Sequence, residues 1–170
     1  MLLRQFAAHF ALAIGVVAVF TGTAPAKDSL PFKGSLEGRH VSRTPLAPPL
    51  VFDVFELAGQ ASHLGRFQLV IEAVVDFGTR PPTGVETLRF TAANGDMLVA
   101  DATGSSALVV PGLVLITEHA AIDPDRSTGR FAGATGSFTI ERLADAATGV
   151  TGRTVGSFKG AICLATPPNR

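Results

Sequence analysis

Residues 66–77 read RFQLVIEAVVDF. Phe67, Leu69, Ile71, Ala73, Val75 and Phe77 share one parity, and Gln68, Val70, Glu72, Val74 and Asp76 share the other. Successive side chains of an extended chain point to opposite faces, so the stretch is expected to be a strand with one buried face. Val70 and Val74 give the reverse face some apolar character, which fits a sheet curved into a barrel. Gln68, Glu72 and Asp76 would form a polar patch on that reverse face. Lining a cavity, Glu72 and Asp76 would be candidates for acid–base work. The apolar partners from Phe67 to Phe77 make water their expected neighbour instead.

Working outward, similar patterns predict strands at residues 32–38, 51–60, 85–92, 97–102, 113–122, 137–143 and 154–164. Turn formers separate them: prolines between 45 and 49, the segment 78–84 with Pro81-Pro82, Asn94-Gly95, Gly104, Pro111-Gly112, and residues 123–129 and 148–152. Asn94-Gly95 between two strand-like runs is the strongest hairpin signal. No helical period occurs after residue 26. Eight strands with short connections are expected to be antiparallel, as an up-and-down barrel or a sandwich. Phe32-Lys33-Gly34 in the first strand returns as Phe158-Lys159-Gly160 in the last. Terminal strands that pair with each other would close the barrel and remove its edges.

Residues 1–26 read as a secretory signal peptide. Arg4 gives a positive start, residues 6–20 are apolar except for His9 and Gly15, and Ala24-Pro25-Ala26 supplies the small residues of a cleavage site. The apolar run falls short of the roughly 20 residues of a spanning helix. One barrel domain is then expected over residues 27–170, secreted or periplasmic, with no membrane association after cleavage. Without Arg4, the 14 basic residues of the chain become 13, against 14 acidic ones. This near neutrality argues against nucleic acid as a partner. Cys163 has no second cysteine to pair with and reads as a core thiol in an apolar run. Trp and Tyr are absent, which counts against sugar stacking. Nine phenylalanines follow residue 26 and suit an apolar core or cavity.

Residues 128–138, TGRFAGATGSF, set Gly129, Gly133 and Gly136 around Phe131. A dinucleotide loop needs G-x-G-x-x-G between a strand and a helix. Here the spacing is G-x-x-x-G-x-x-G, and a strand-like run follows. A sharp corner is the better reading, with Phe131 as a plug turned inward and the glycines bending the chain. The stretch Ser127-Thr128-Gly129-Arg130-Phe131 resembles a motif shared by plant allene oxide cyclases and dirigent proteins. The cyclases continue with glycines placed like Gly133 and Gly136, and dirigent proteins carry Ala and Gly like Ala134 and Gly136. The run from Gly59 to Phe67, GQASHLGRF, and Ala93-Asn94-Gly95-Asp96 are further marks of a bacterial secreted relative. The resemblance implies an eight-stranded antiparallel barrel with an internal apolar cavity. It carries over no catalytic position residue by residue.

The remaining constellations are weak. His40, His63 and His119 lie on separate segments without metal-ligand spacing. Surface or rim histidines are the expectation, and neither a metal nor a cofactor is expected. Residues 123–134 lack the Gly and Glu of a calcium loop. No G-x-S-x-G elbow occurs. The expectation is therefore a barrel with an apolar interior that binds a small hydrophobic molecule. Phe67, Leu69, Ile71, Val75, Phe90 and Phe131 are the candidate lining residues. A cyclase, isomerase or dirigent-like enzyme acting by confinement is the alternative, and a structural homo-oligomer is the third reading.

Overall fold

Alternation of apolar and polar residues runs through every strand and dictates the architecture. The computed structural model describes residues 28–147 and 152–165; residues 1–26, read above as a signal peptide, lie outside them. The strands are β1 (Leu30–Pro45), β2 (Leu50–Ala61), β3 (Gly65–Asp76), β4 (Thr83–Ala92), β5 (Met97–Val110), β6 (Leu113–Ile122), β7 (Thr135–Asp145) and β8 (Arg153–Cys163). Each pairs antiparallel with its sequence neighbour, and β8 pairs with β1, so the sheet closes into a barrel. The seam aligns the repeated tripeptides: Phe32 faces Gly160, Lys33 faces Lys159, and Gly34 faces Phe158. Both phenylalanines turn inward, and their ring centroids lie 4.9 Å apart.

Two strands are longer than their sequence pattern indicates. β1 continues to Pro45 through an irregularity between His40 and Ser42. β5 passes through Gly104, expected to be a break, and runs on to Val110. Gly104 is part of the ladder, opposite Gly84 on one side and Glu118 on the other. A Cβ there would lie 2.5 Å from Glu86 Oε1. The glycine thus makes room for a neighbouring carboxyl and ends nothing. β3 stops at Asp76, and Phe77 turns out at the rim, 47% exposed.

The interior has two unlike halves. Around the middle, Phe32, Phe67, Phe90, Phe138 and Phe158 pack ring against ring, and Phe158 touches the other four at 4.9–6.1 Å between centroids. Each such pair adds about 0.5–1.5 kcal/mol beyond the area it buries. One end of the barrel is covered by the β2–β3 turn, the Asn94-Gly95 turn and the β6–β7 connection. In that connection Phe131 and Ala134 are fully buried and join the core. The Thr128 hydroxyl accepts from the Met97 N–H and the Ser127 hydroxyl from the Val99 N–H, so the loop continues the β5 ladder with side chains. Gly129 (φ 60°) and Gly133 (φ 70°) adopt left-handed backbone, a region costly for any residue with a Cβ. At the opposite end, open among the described residues, the inward positions turn polar.

Candidate functional site

The inward face of four strands ends in charge at the open end. Asp53 continues the row of Phe55 and Leu57 on β2. Glu86 continues Leu88 and Phe90 on β4, Glu118 continues Ala120 and Ile122 on β6, and Arg142 continues Phe138 and Ile140 on β7. Glu86, Glu118 and Arg142 are 8%, 0% and 2% exposed. They are in phase with the core, so the period that buries Phe90 and Ile140 also buries them.

Arg142 organises the group. Its Nε and Nη2 both donate to Glu118 Oε1, at 2.9 and 2.7 Å. Its guanidinium carbon lies 4.3 Å from the centre of the Phe55 ring. The His40 ring stacks on Phe55 at 4.6 Å with 25° between planes, so both cations or cation-formers use the same phenyl ring. Arg142 Nη1, Glu86 Oε2 and Glu118 Oε2 are buried without a hydrogen-bond partner. Burial, then the charge of Glu118, push the Glu86 carboxyl up to about 9, against the opposing pull of Arg142. Glu86 is therefore a neutral acid at pH 7. As two carboxylates, Glu86 and Glu118 would repel; a proton on Glu86 removes that repulsion. Salt bridge and proton together leave this inner group without net charge.

A second balanced group sits nearer the rim. Arg43 donates from Nε and Nη2 to the two oxygens of buried Asp53, at 2.8 and 2.6 Å. His40 Nε2 is 2.8 Å from the Ser42 carbonyl and 3.2 Å from Asp53 Oδ1. The Arg43 guanidinium also covers the Phe77 ring at 5.1 Å.

Between these groups lies a partly enclosed cavity of about 180 Å³. Its side wall is mostly apolar, with Phe55, Ala73, Val75, Val114 and Ile116 beside Ser105 and Ser106, and its floor carries Glu86 and Arg142. Arg43, Asp53, Phe77 and Pro82 belong to its rim. Larger grooves, such as the one between Val74, Val85 and His119, cross the outer face of the sheet and are open to solvent. Outer grooves bury little of a bound molecule, so the small, partly enclosed space is the better site.

Of the six residues expected to line a cavity, Val75 lies on this wall. Phe67, Leu69, Ile71, Phe90 and Phe131 are inside the barrel too, but in the packed hydrophobic core. Glu72 and Asp76 lie on the other face of β3, and Glu72 faces Arg89 across the outer surface at 3.8 Å. His119 is outward, 3.2 Å from the Thr139 hydroxyl. His63 occupies the β2–β3 turn with positive φ. His40 departs from the expected surface position: it continues the inward row of Phe32 and Leu36 on β1 and stacks on Phe55. Among the described residues, no three of the histidine, cysteine, aspartate and glutamate side chains converge on a common point suited to a metal ion. The asymmetric corner at 128–138 remote from the cavity carries no part of this site.

Sequence reading passed over Glu86, Glu118 and Arg142. The signal was there: each stands two positions beyond a buried residue of the same parity. A charge at that place usually marks a strand leaving the core for water, and only closure of the sheet buries it. No family model matches the chain, and no curated protein or solved structure matches it.

Proposed function

We propose that the protein is an exported, secreted or periplasmic barrel that binds one small, mainly apolar molecule in the open-end cavity. The observation that carries this reading is the partly enclosed volume of about 180 Å³ with a mostly apolar side wall, beside the packed hydrophobic core. An apolar cavity of about 150 Å³ holds benzene, so a single ring is the right scale. The resemblance to allene oxide cyclases and dirigent proteins supports an interior site. The test is a calorimetric titration with toluene, beside the variant Ala73→Leu, whose longer side chain fills the wall. Saturable binding that is lost in the variant supports the reading. Absence of toluene binding to the parent protein sinks it.

A second reading is an isomerase, favoured by one observation: a carboxyl on the cavity lining, Glu86, pushed up to about 9 and so holding a proton at pH 7. Glu86 would give its proton to a carbonyl oxygen while water at the cavity mouth takes one from the adjacent carbon. Cyclohexanone in heavy water should then exchange its α-hydrogens faster with the protein present, and Glu86→Ala should remove the acceleration. An unchanged exchange rate discards this reading and leaves the binding one standing.

A further inference from the structure

We propose that the cavity takes a small primary amine carried on one apolar ring, bound as the ammonium with its charge on the Glu86 carboxylate. The proposal rests on the binding reading and names the ligand class for that same site.

Among the described residues, the buried carboxyls Asp53, Glu86 and Glu118 all sit at the open end. Asp53 holds Arg43 and Glu118 holds Arg142. Glu86, 8% exposed, has no cation of its own. His40, the remaining cation-former there, lies against Asp53. Across the ladder Glu86 faces Ala73 on β3 and Ala102 on β5, whose side chains cannot donate a hydrogen bond. Its Oε2 is buried without a partner. Its Oε1 lies 3.5 and 2.5 Å from where Cβ atoms on Gly84 and Gly104 would stand, and all three residues line the cavity. Two side chains are missing at the place where they would cover this oxygen, so the carboxyl opens onto the cavity. A buried carboxylate without a donor is costly, and a ligand cation supplies one.

The field at Glu86 has the right sign. Of the two charges that face it, Glu118 on β6 acts more strongly than Arg142 on β7. Without a ligand a proton answers that field. An ammonium takes the proton's place: the amine arrives charged, Glu86 gives its proton to water, and the carboxylate gains its counter-charge. Ser106 shares the inward parity of Ala100 and Ala102 and lines the same cavity, so its hydroxyl can accept a second N–H. The apolar wall holds the ring. Other head groups fit less well. A carboxylate would meet the charge of Glu118 while Arg142 is already spent on that residue. An alcohol can bond Glu86 but brings no charge, and a hydrocarbon leaves it unserved.

The experiment compares toluene, benzylammonium, benzyl alcohol and benzoate by calorimetry at pH 8, close enough to the Glu86 value of about 9 that its proton is displaced at small cost. The expected result is that benzylammonium binds about tenfold or more tightly than benzyl alcohol, which has nearly the same shape, and than benzoate. Benzyl alcohol or benzoate bound as tightly as benzylammonium overturns the proposal and, with toluene bound, leaves the cavity reading intact. Failure of all four ligands overturns both. The variant Glu86→Gln supplies a second readout. Gln keeps the shape and one acceptor oxygen but carries no charge. Benzylammonium affinity should fall by about tenfold or more while toluene affinity changes by less than about threefold. An unchanged benzylammonium affinity would overturn the proposal. Parallel loss of both ligands would mean that Glu86 merely shapes the cavity, and would also overturn it.

Discussion

Replacing Glu86 with Gln should change how stability depends on pH. The carboxyl is buried against Glu118, and its folded value of about 9 stands well above the ordinary 4.5. The sign follows from proton binding. Below pH 4.5 folded and unfolded chains both hold the proton, and Glu86 contributes fully. Between about 4.5 and 9 the unfolded chain releases it and the folded chain keeps it, so stability falls as pH rises. Linkage sets the full slope at a little over about 1 kcal/mol per pH unit for one group. From pH 5 to pH 8 the loss is about 3–4 kcal/mol. Gln cannot ionise, has nearly the same shape, and its NH₂ can still donate to Glu118. The assay is urea unfolding of the parent and Glu86→Gln at pH 5, 6, 7 and 8, reported as the difference in unfolding free energy. Taking the difference cancels every other titrating group. The variant should gain on the parent steadily across this range and be the more stable protein at pH 8. A difference that stays constant to within about 0.5 kcal/mol from pH 5 to pH 8 would refute the reasoning, because a slope set by linkage would then be missing.

Phe131→Ala should cost roughly 3–5 kcal/mol in urea unfolding, the usual cost for a fully buried Phe; a loss of a few tenths would show that the β6–β7 corner does not anchor the closed end. Gly104→Ala should destabilise by about 1–3 kcal/mol through the clash with Glu86, and much of that loss should vanish in a Glu86→Ala background, where thermal melts of the double-mutant cycle would otherwise show simple additivity. Intact-mass measurement of the exported protein should give a chain that begins at Lys27; a retained full-length chain would contradict the signal-peptide reading.

The strands were legible because one face of each must meet the core. Residues 66–77 and 113–122 needed nothing beyond a period of two. The Phe-Lys-Gly repeat even foretold which strands close the sheet. Gly104 was misread for a physical reason: a strand glycine that makes room for another residue looks the same in sequence as one that ends a strand. The candidate site was hidden for a different reason. Glu118 and Arg142 lie on adjacent strands, β6 and β7, far enough apart in sequence that only the barrel's register brings them together. His40 was assigned to the rim although it shares the parity of Phe32 and Leu36, because a polar side chain at the end of an inward row reads like a strand leaving the core. Val75 alone of the expected lining residues reaches the cavity, since the wide rings of Phe67, Phe90 and their partners fill the space below it.

The seam between β1 and β8 decides when this chain can fold. β8 pairs with both β1 and β7, and Leu30 meets Ile162 across nearly the whole described chain. Phe158, the ring that touches four others, also arrives on that strand. A chain emerging from a ribosome or an export channel therefore has two unpaired strand edges and a core without its central ring until β8 is out. Long-range closure of this kind is slow, and open edges invite pairing with other chains. A stop codon just before β8 would therefore yield an aggregation-prone fragment with seven of the eight strands already made.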